Sequence, residues 1–68
     1  MDAATFEMVL TAYDETCQDA RAQGHGDAVA HREGVTAAAM CLAAMTGIED
    51  AAARAEVERL DLAKQLAA

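Results

Sequence analysis

The chain has no proline, tryptophan, serine or asparagine, and its only aromatic residues are Phe6 and Tyr13. Without serine there is no Ser-His-Asp nucleophile, and neither cysteine has a neighbouring base in the sequence to activate it. Two cysteines, Cys17 and Cys41, are far below the density of a disulfide-stapled miniprotein. Basic residues are scarce, with 5 Lys+Arg against 12 Asp+Glu and a formal net charge of -7. That balance argues against gripping phosphates, which needs a basic patch, and against docking on an anionic membrane. The longest apolar run, Val35 to Met45, is interrupted only by Thr36 and falls well short of the roughly 20 residues that span a bilayer. The first residues, Met1-Asp2-Ala3-Ala4, carry no basic segment followed by an apolar one, so the expected location is the cytoplasm, with both thiols reduced.

What is present is alanine. It supplies 19 of the 37 residues behind the 54% hydrophobic content, which is too apolar and too evenly spread for a disordered chain. Abundant alanine and absent proline predict an all-α fold. Gly24-His25-Gly26-Asp27 reads as a loop, with Gly24 closing one helix and Asp27 capping the next. Gly47 reads as a second stop, with Glu49 and Asp50 placing negative charge at the following N-terminus. Three helices are expected, over about residues 3–23, 27–46 and 49–67. They form a three-helix bundle, or a hairpin plus a C-terminal helix, in one small domain.

On the first helix, Phe6, Val9, Leu10, Tyr13, Cys17 and Ala20 share one stripe, so this helix carries most of the core volume. The second helix has a broad apolar face with Ala28, His31, Val35, Ala38, Ala39, Leu42 and Met45. Beside it runs a small-residue seam of Ala30, Gly34, Ala37, Cys41 and Ala44, where another backbone can come close. A third side holds Val29 and Met40 with Arg32, Glu33 and Thr36. The third helix shows two apolar sides, Ala53, Val57 and Leu60 against Ile48, Ala52, Ala55, Leu62 and Leu66. Either the second side meets another surface, or a bend wraps Leu62 and Leu66 onto the core. Asp50 with Arg54, Glu56 with Arg59 and Asp61 with Lys64 are spaced to pair.

A core of this size rarely supplies more than about 3–5 kcal/mol, so self-association, with a dimer favoured, is the expected compensation. The candidate interface comprises Gly34, Ala37, Cys41, Ala44, Ile48, Leu62 and Leu66. Glu7, Asp14, Glu15 and Asp19 form an acidic strip that could face a basic protein partner. His25 and His31 are the candidate ligand contacts, with His31 expected at the core edge, hydrogen-bonded to a neighbour such as a carboxylate of the first helix. Cys17, His25, His31 and Cys41 lack the paired spacings of a zinc site, and no cofactor is expected. Gly24-His25-Gly26 lacks the preceding strand and following Lys-Ser/Thr of a phosphate loop.

The expected function is therefore non-catalytic: a self-associating helical module that docks a partner protein. Two alternatives remain at the level of sequence. One is an acidic inhibitor from a phage or mobile element, blocking a nucleic-acid-binding protein. The other is a metal- or small-ligand-binding regulator.

Overall fold

In the computed structural model, which describes Met1–Ala68, the chain is entirely helical: α1 (Ala3–Ala22), α2 (Asp27–Thr46), α3 (Asp50–Leu60) and α4 (Leu62–Ala67). α1 starts where Asp2 takes extended backbone and its Oδ1 accepts from the Thr5 N–H at 2.8 Å. Hydrogen bonding from the Thr5 side chain, and then from this N–H, holds the Asp2 carboxyl below its ordinary pKa. The α1–α2 loop falls on the glycines, with Gly24 at φ +92°, although Gly26 rather than Asp27 stands at the N-cap position. Asp27 is instead the first residue of α2 and pairs with Arg21 across the loop. α2 stops at Gly47, whose left-handed backbone (φ +77°) lets its N–H reach back to the Ala43 carbonyl at 2.8 Å.

The uninterrupted C-terminal helix expected over 49–67 is broken. Asp61 turns left-handed at φ 52° and ψ 65°, ending α3 and starting α4. The break corrects one apolar assignment. In a continuous helix Leu62 would point away from Val57, yet here it is 2% exposed and belongs to the core. The bend wraps Leu62 inward, so Leu62 is not an interface residue. Leu66, one turn on, stays 43% exposed.

α1 and α2 form an antiparallel hairpin, α3 packs on α2, and α4 reaches back to α1. The core is Val9, Tyr13, Cys17, Ala20, Ala30, Val35, Ala38, Ala39, Leu42, Ala53, Val57 and Leu62. The α1 stripe is buried or half-buried throughout, as its period requires. Gly34 sets the hairpin spacing. A Cβ built there would lie 2.6 Å from Cys17 Sγ and 2.8 Å from Tyr13 Cδ1. The small-residue seam is therefore filled at Gly34 by the chain's own α1, which corrects its assignment to an intermolecular interface. No helix is long and apolar enough to cross a membrane.

The molecule measures 33 × 24 × 16 Å. Six large apolar side chains stay exposed, Met1, Met8, Met40, Met45, Ile48 and Leu66, and most of them lie on the candidate surfaces.

Candidate interaction surfaces

The α1–α2 seam holds the polar contacts that join the two helices. Tyr13 is buried, at 3% exposure, but its hydroxyl reaches the rim and lies 2.7 Å from Nδ1 of His31. The rings meet edge to face, with centroids 5.6 Å apart. His31 is exposed and caps the edge of the core through a neighbour on α1, which is the Tyr13 phenol rather than a carboxylate. A hydroxyl can donate to a bare Nδ1 or accept from a protonated one, so the bond persists in either imidazole charge state. One turn along, Cys17 Sγ donates to the Ala30 carbonyl at 3.3 Å. The buried thiol thereby holds register between the helices.

Burial, reinforced by the neighbouring Cys17 thiol, pushes the Tyr13 phenol from 10.0 up to about 12. The unfolded chain loses this proton near pH 10, whereas the folded chain keeps it until about pH 12. Between those values the native state binds more protons, so stability falls as pH rises through the window and is undiminished below it. Urea denaturation across this range is expected to show that decline, and Tyr13→Phe should flatten it. An equally steep decline in the Phe variant would assign it to other groups.

Beside this seam lies a cleft of about 320 Å³ lined by Tyr13, Asp14, Cys17, Arg21 and the α4 residues Ala63, Leu66 and Ala67. Its polar groups are already engaged: Tyr13 with His31, Cys17 with Ala30, and Arg21 with Asp27. His25 is exposed in the loop, where its backbone N–H donates to the Ala20 carbonyl at 3.0 Å. His25 and His31 do not converge on one site, and no group of three or more His, Cys, Asp or Glu side chains is placed to hold a metal ion.

The acidic strip lies on the outer side of α1. Glu7, Glu15 and Asp19 are exposed and make no ion pair, while Asp14 is half-buried and accepts from Gln18 at 3.0 Å. Met8 stands 55% exposed on the same helix.

The remaining candidate interface residues spread over two regions. Ala37 and Cys41 are half-buried on α2, and Ala44 is exposed next to them. Cys41 Sγ lies 3.7 Å from Met45 Sδ. Ile48, 40% exposed, shares a hollow of about 380 Å³ with Met1, Thr5, Leu42 and Thr46 at the end of the bundle.

The third side of α2, with Val29, Met40, Arg32, Glu33 and Thr36, was not among the candidate surfaces, and the structure shows two features there that were not legible in the sequence. Met40 is the most exposed large apolar side chain in the protein, at 67%. Beside it, Arg54 donates from Nη2 to Thr36 Oγ1 at 2.6 Å instead of pairing with Asp50. The only ion pairs are Arg21 with Asp27 and Arg59 with Glu56, so Arg32 and Arg54 hold none. Helical spacing offered Asp50 to Arg54, but α3 lies against α2 and the Thr36 hydroxyl is in reach. No protein-family model, curated protein or solved structure matches this chain.

Proposed function

We propose that this protein is a non-catalytic helical interaction module that self-associates, with a homodimer as its basic unit, and docks a partner protein. One observation carries the reading: on α2, Met40 (67% exposed) and Met45 (44% exposed) flank half-buried Ala37 and Cys41 on a face that the chain itself leaves open. Methionine adapts to irregular partner surfaces, and alanine lets a second backbone approach. The intrachain core gives a reason for such a face to be used. Five of its twelve residues are alanine, each of which buries little area. Burying the open face against another copy would add the apolar contact that a chain of this length lacks.

Sedimentation equilibrium at micromolar concentrations is the direct test. A species of twice the 7.1 kDa chain mass is expected. A mass of 7.1 kDa at every concentration sinks the self-association reading.

The unpaired carboxylates of Glu7, Glu15 and Asp19 favour a second reading, in which the acidic strip occupies a basic, nucleic-acid-binding protein. The two make opposite predictions for charge reversal along the strip. A partner complex lost with the oligomer intact supports the inhibitor. A complex untouched by charge reversal supports docking through an apolar face.

A further inference from the structure

The outer face of α2 contains a stripe that is apolar at both ends and polar in the middle: Val29, Glu33, Thr36 and Met40. Its spacing of four, three and four residues keeps all four side chains in one row on the helix surface. Val29 and Thr36 are half-buried, while Glu33 and Met40 are exposed. Glu33, Thr36 and Met40 of the row line an open groove of about 550 Å³ together with Arg32, Ala37, Arg54 and Thr16 of α1. Asp50 shares a smaller hollow with Thr36, Met40 and Arg54 on the same side.

Charge distinguishes this face from the rest of the molecule. A chain of net charge -7 repels its own copies over most of its surface. Here Arg32 and Arg54 balance Glu33 and Asp50, so the face is locally neutral, and both arginines lack an ion pair. A two-fold contact brings a patch against itself, so any charges it carries must lie opposite charges of the other sign after rotation. This row does so in one register. Laid antiparallel on its copy, Val29 falls opposite Met40 and Glu33 falls opposite Thr36, the residue on which Arg54 rests at 2.6 Å. Each end then places an exposed methionine on a valine. Each middle position brings a carboxylate to an unpaired guanidinium. Ala37 beside the row leaves room for the two backbones to approach.

From this self-complementarity we infer that the protein dimerises through an isologous, antiparallel α2–α2 contact, in which Glu33 of each copy pairs with Arg54 of the other and Met40 covers the other's Val29. The inference rests on the self-association proposed above and specifies its geometry. The occupant is a second copy, because one face supplies both halves of the charge pairing.

The test is sedimentation equilibrium of the full chain and four variants, with circular dichroism to establish that each is folded. Met40→Asp should abolish the dimer. Glu33→Arg should weaken it roughly tenfold or more, since two ion pairs become two repulsions. Arg54→Glu should do the same; because the Thr36 hydroxyl already donates to the Arg32 carbonyl, this variant also loses its intrachain bond to Thr36, and a thermal melt measures that cost separately from the loss of dimer. The Glu33→Arg/Arg54→Glu double variant, which restores both pairs with reversed polarity, should return most of the lost affinity. A wild-type monomer at all concentrations would overturn both the self-association and this interface. A wild-type dimer that Met40→Asp, Glu33→Arg and Arg54→Glu leave unchanged overturns this interface alone. Weakened single variants with no recovery in the double variant overturn the reciprocal pairing. A monomeric chain that instead binds a Glu-rich amphipathic peptide at Arg32 and Arg54 assigns the face to a foreign helix and likewise overturns it.

Discussion

Gly34→Ala is expected to destabilise the fold by roughly 1–3 kcal/mol, although alanine is the better helix former by about 1 kcal/mol. The two effects oppose each other, and distance decides between them. The new methyl would sit 2.6 Å from Cys17 Sγ and 2.8 and 2.9 Å from two carbons of the Tyr13 ring, inside contact distance for all three. None of these atoms is the free end of a long side chain. Cys17 is 2% exposed and bonded to the Ala30 carbonyl, and the Tyr13 ring is 3% exposed and anchored by its hydroxyl to His31. Relief requires α1 and α2 to move apart, which loosens contacts along the hairpin that holds most of the core. Gly34→Leu adds three more carbons at the same place and should exceed the 3–5 kcal/mol that a core of this size supplies, leaving the chain unfolded. Urea denaturation followed by circular dichroism measures both. An alanine variant more stable than wild type would mean that helix propensity dominates and the close approach is slack.

Gly34 also shows how far the fold could be read from the residues. The seam on α2 was legible as a place of close approach, because glycine in a helix interior needs a packing reason. Which helix approaches was not legible, since one helix's periodicity describes its own faces and says nothing of the neighbour. The α1 stripe and both glycine stops were legible for the opposite reason: a period and a backbone angle are local properties. The Asp61 break had a weaker signal. Leu62 lies opposite Val57 only if the helix is continuous, and that mismatch fits either a second buried surface or a bend. With no glycine or proline nearby, nothing local favoured the bend. Among the candidate surfaces, the exposure of Glu7, Glu15 and Asp19 followed from α1's amphipathic pattern. The freedom of Arg32 and Arg54 did not, because it depends on where α3 settles across α2 and on the Thr36 hydroxyl that Arg54 finds there.

Leu62→Ala is expected to cost about 2–5 kcal/mol, the range for truncating a buried leucine, and so to remove most of the stability available to this chain. Leu62 is 2% exposed and packs in the same cluster as Tyr13, Val57 and Leu42. It is also the only buried residue of α4, so its truncation should release the whole C-terminal segment from α1. Leu62→Asp should be worse, because it places a carboxylate where the core offers no polar partner. Leu66→Asp, on a residue 43% exposed, should leave the melting temperature nearly unchanged. The contrast matters for reading any binding experiment. An oligomer lost through Leu62→Asp reports unfolding of the protomer, whereas one lost through Leu66→Asp reports a surface. Thermal melts of the three variants separate these cases. If Leu62→Ala melts with wild type, the Asp61 turn does not deliver Leu62 to the core, and the C-terminal segment regains the second apolar side that its sequence periodicity suggests.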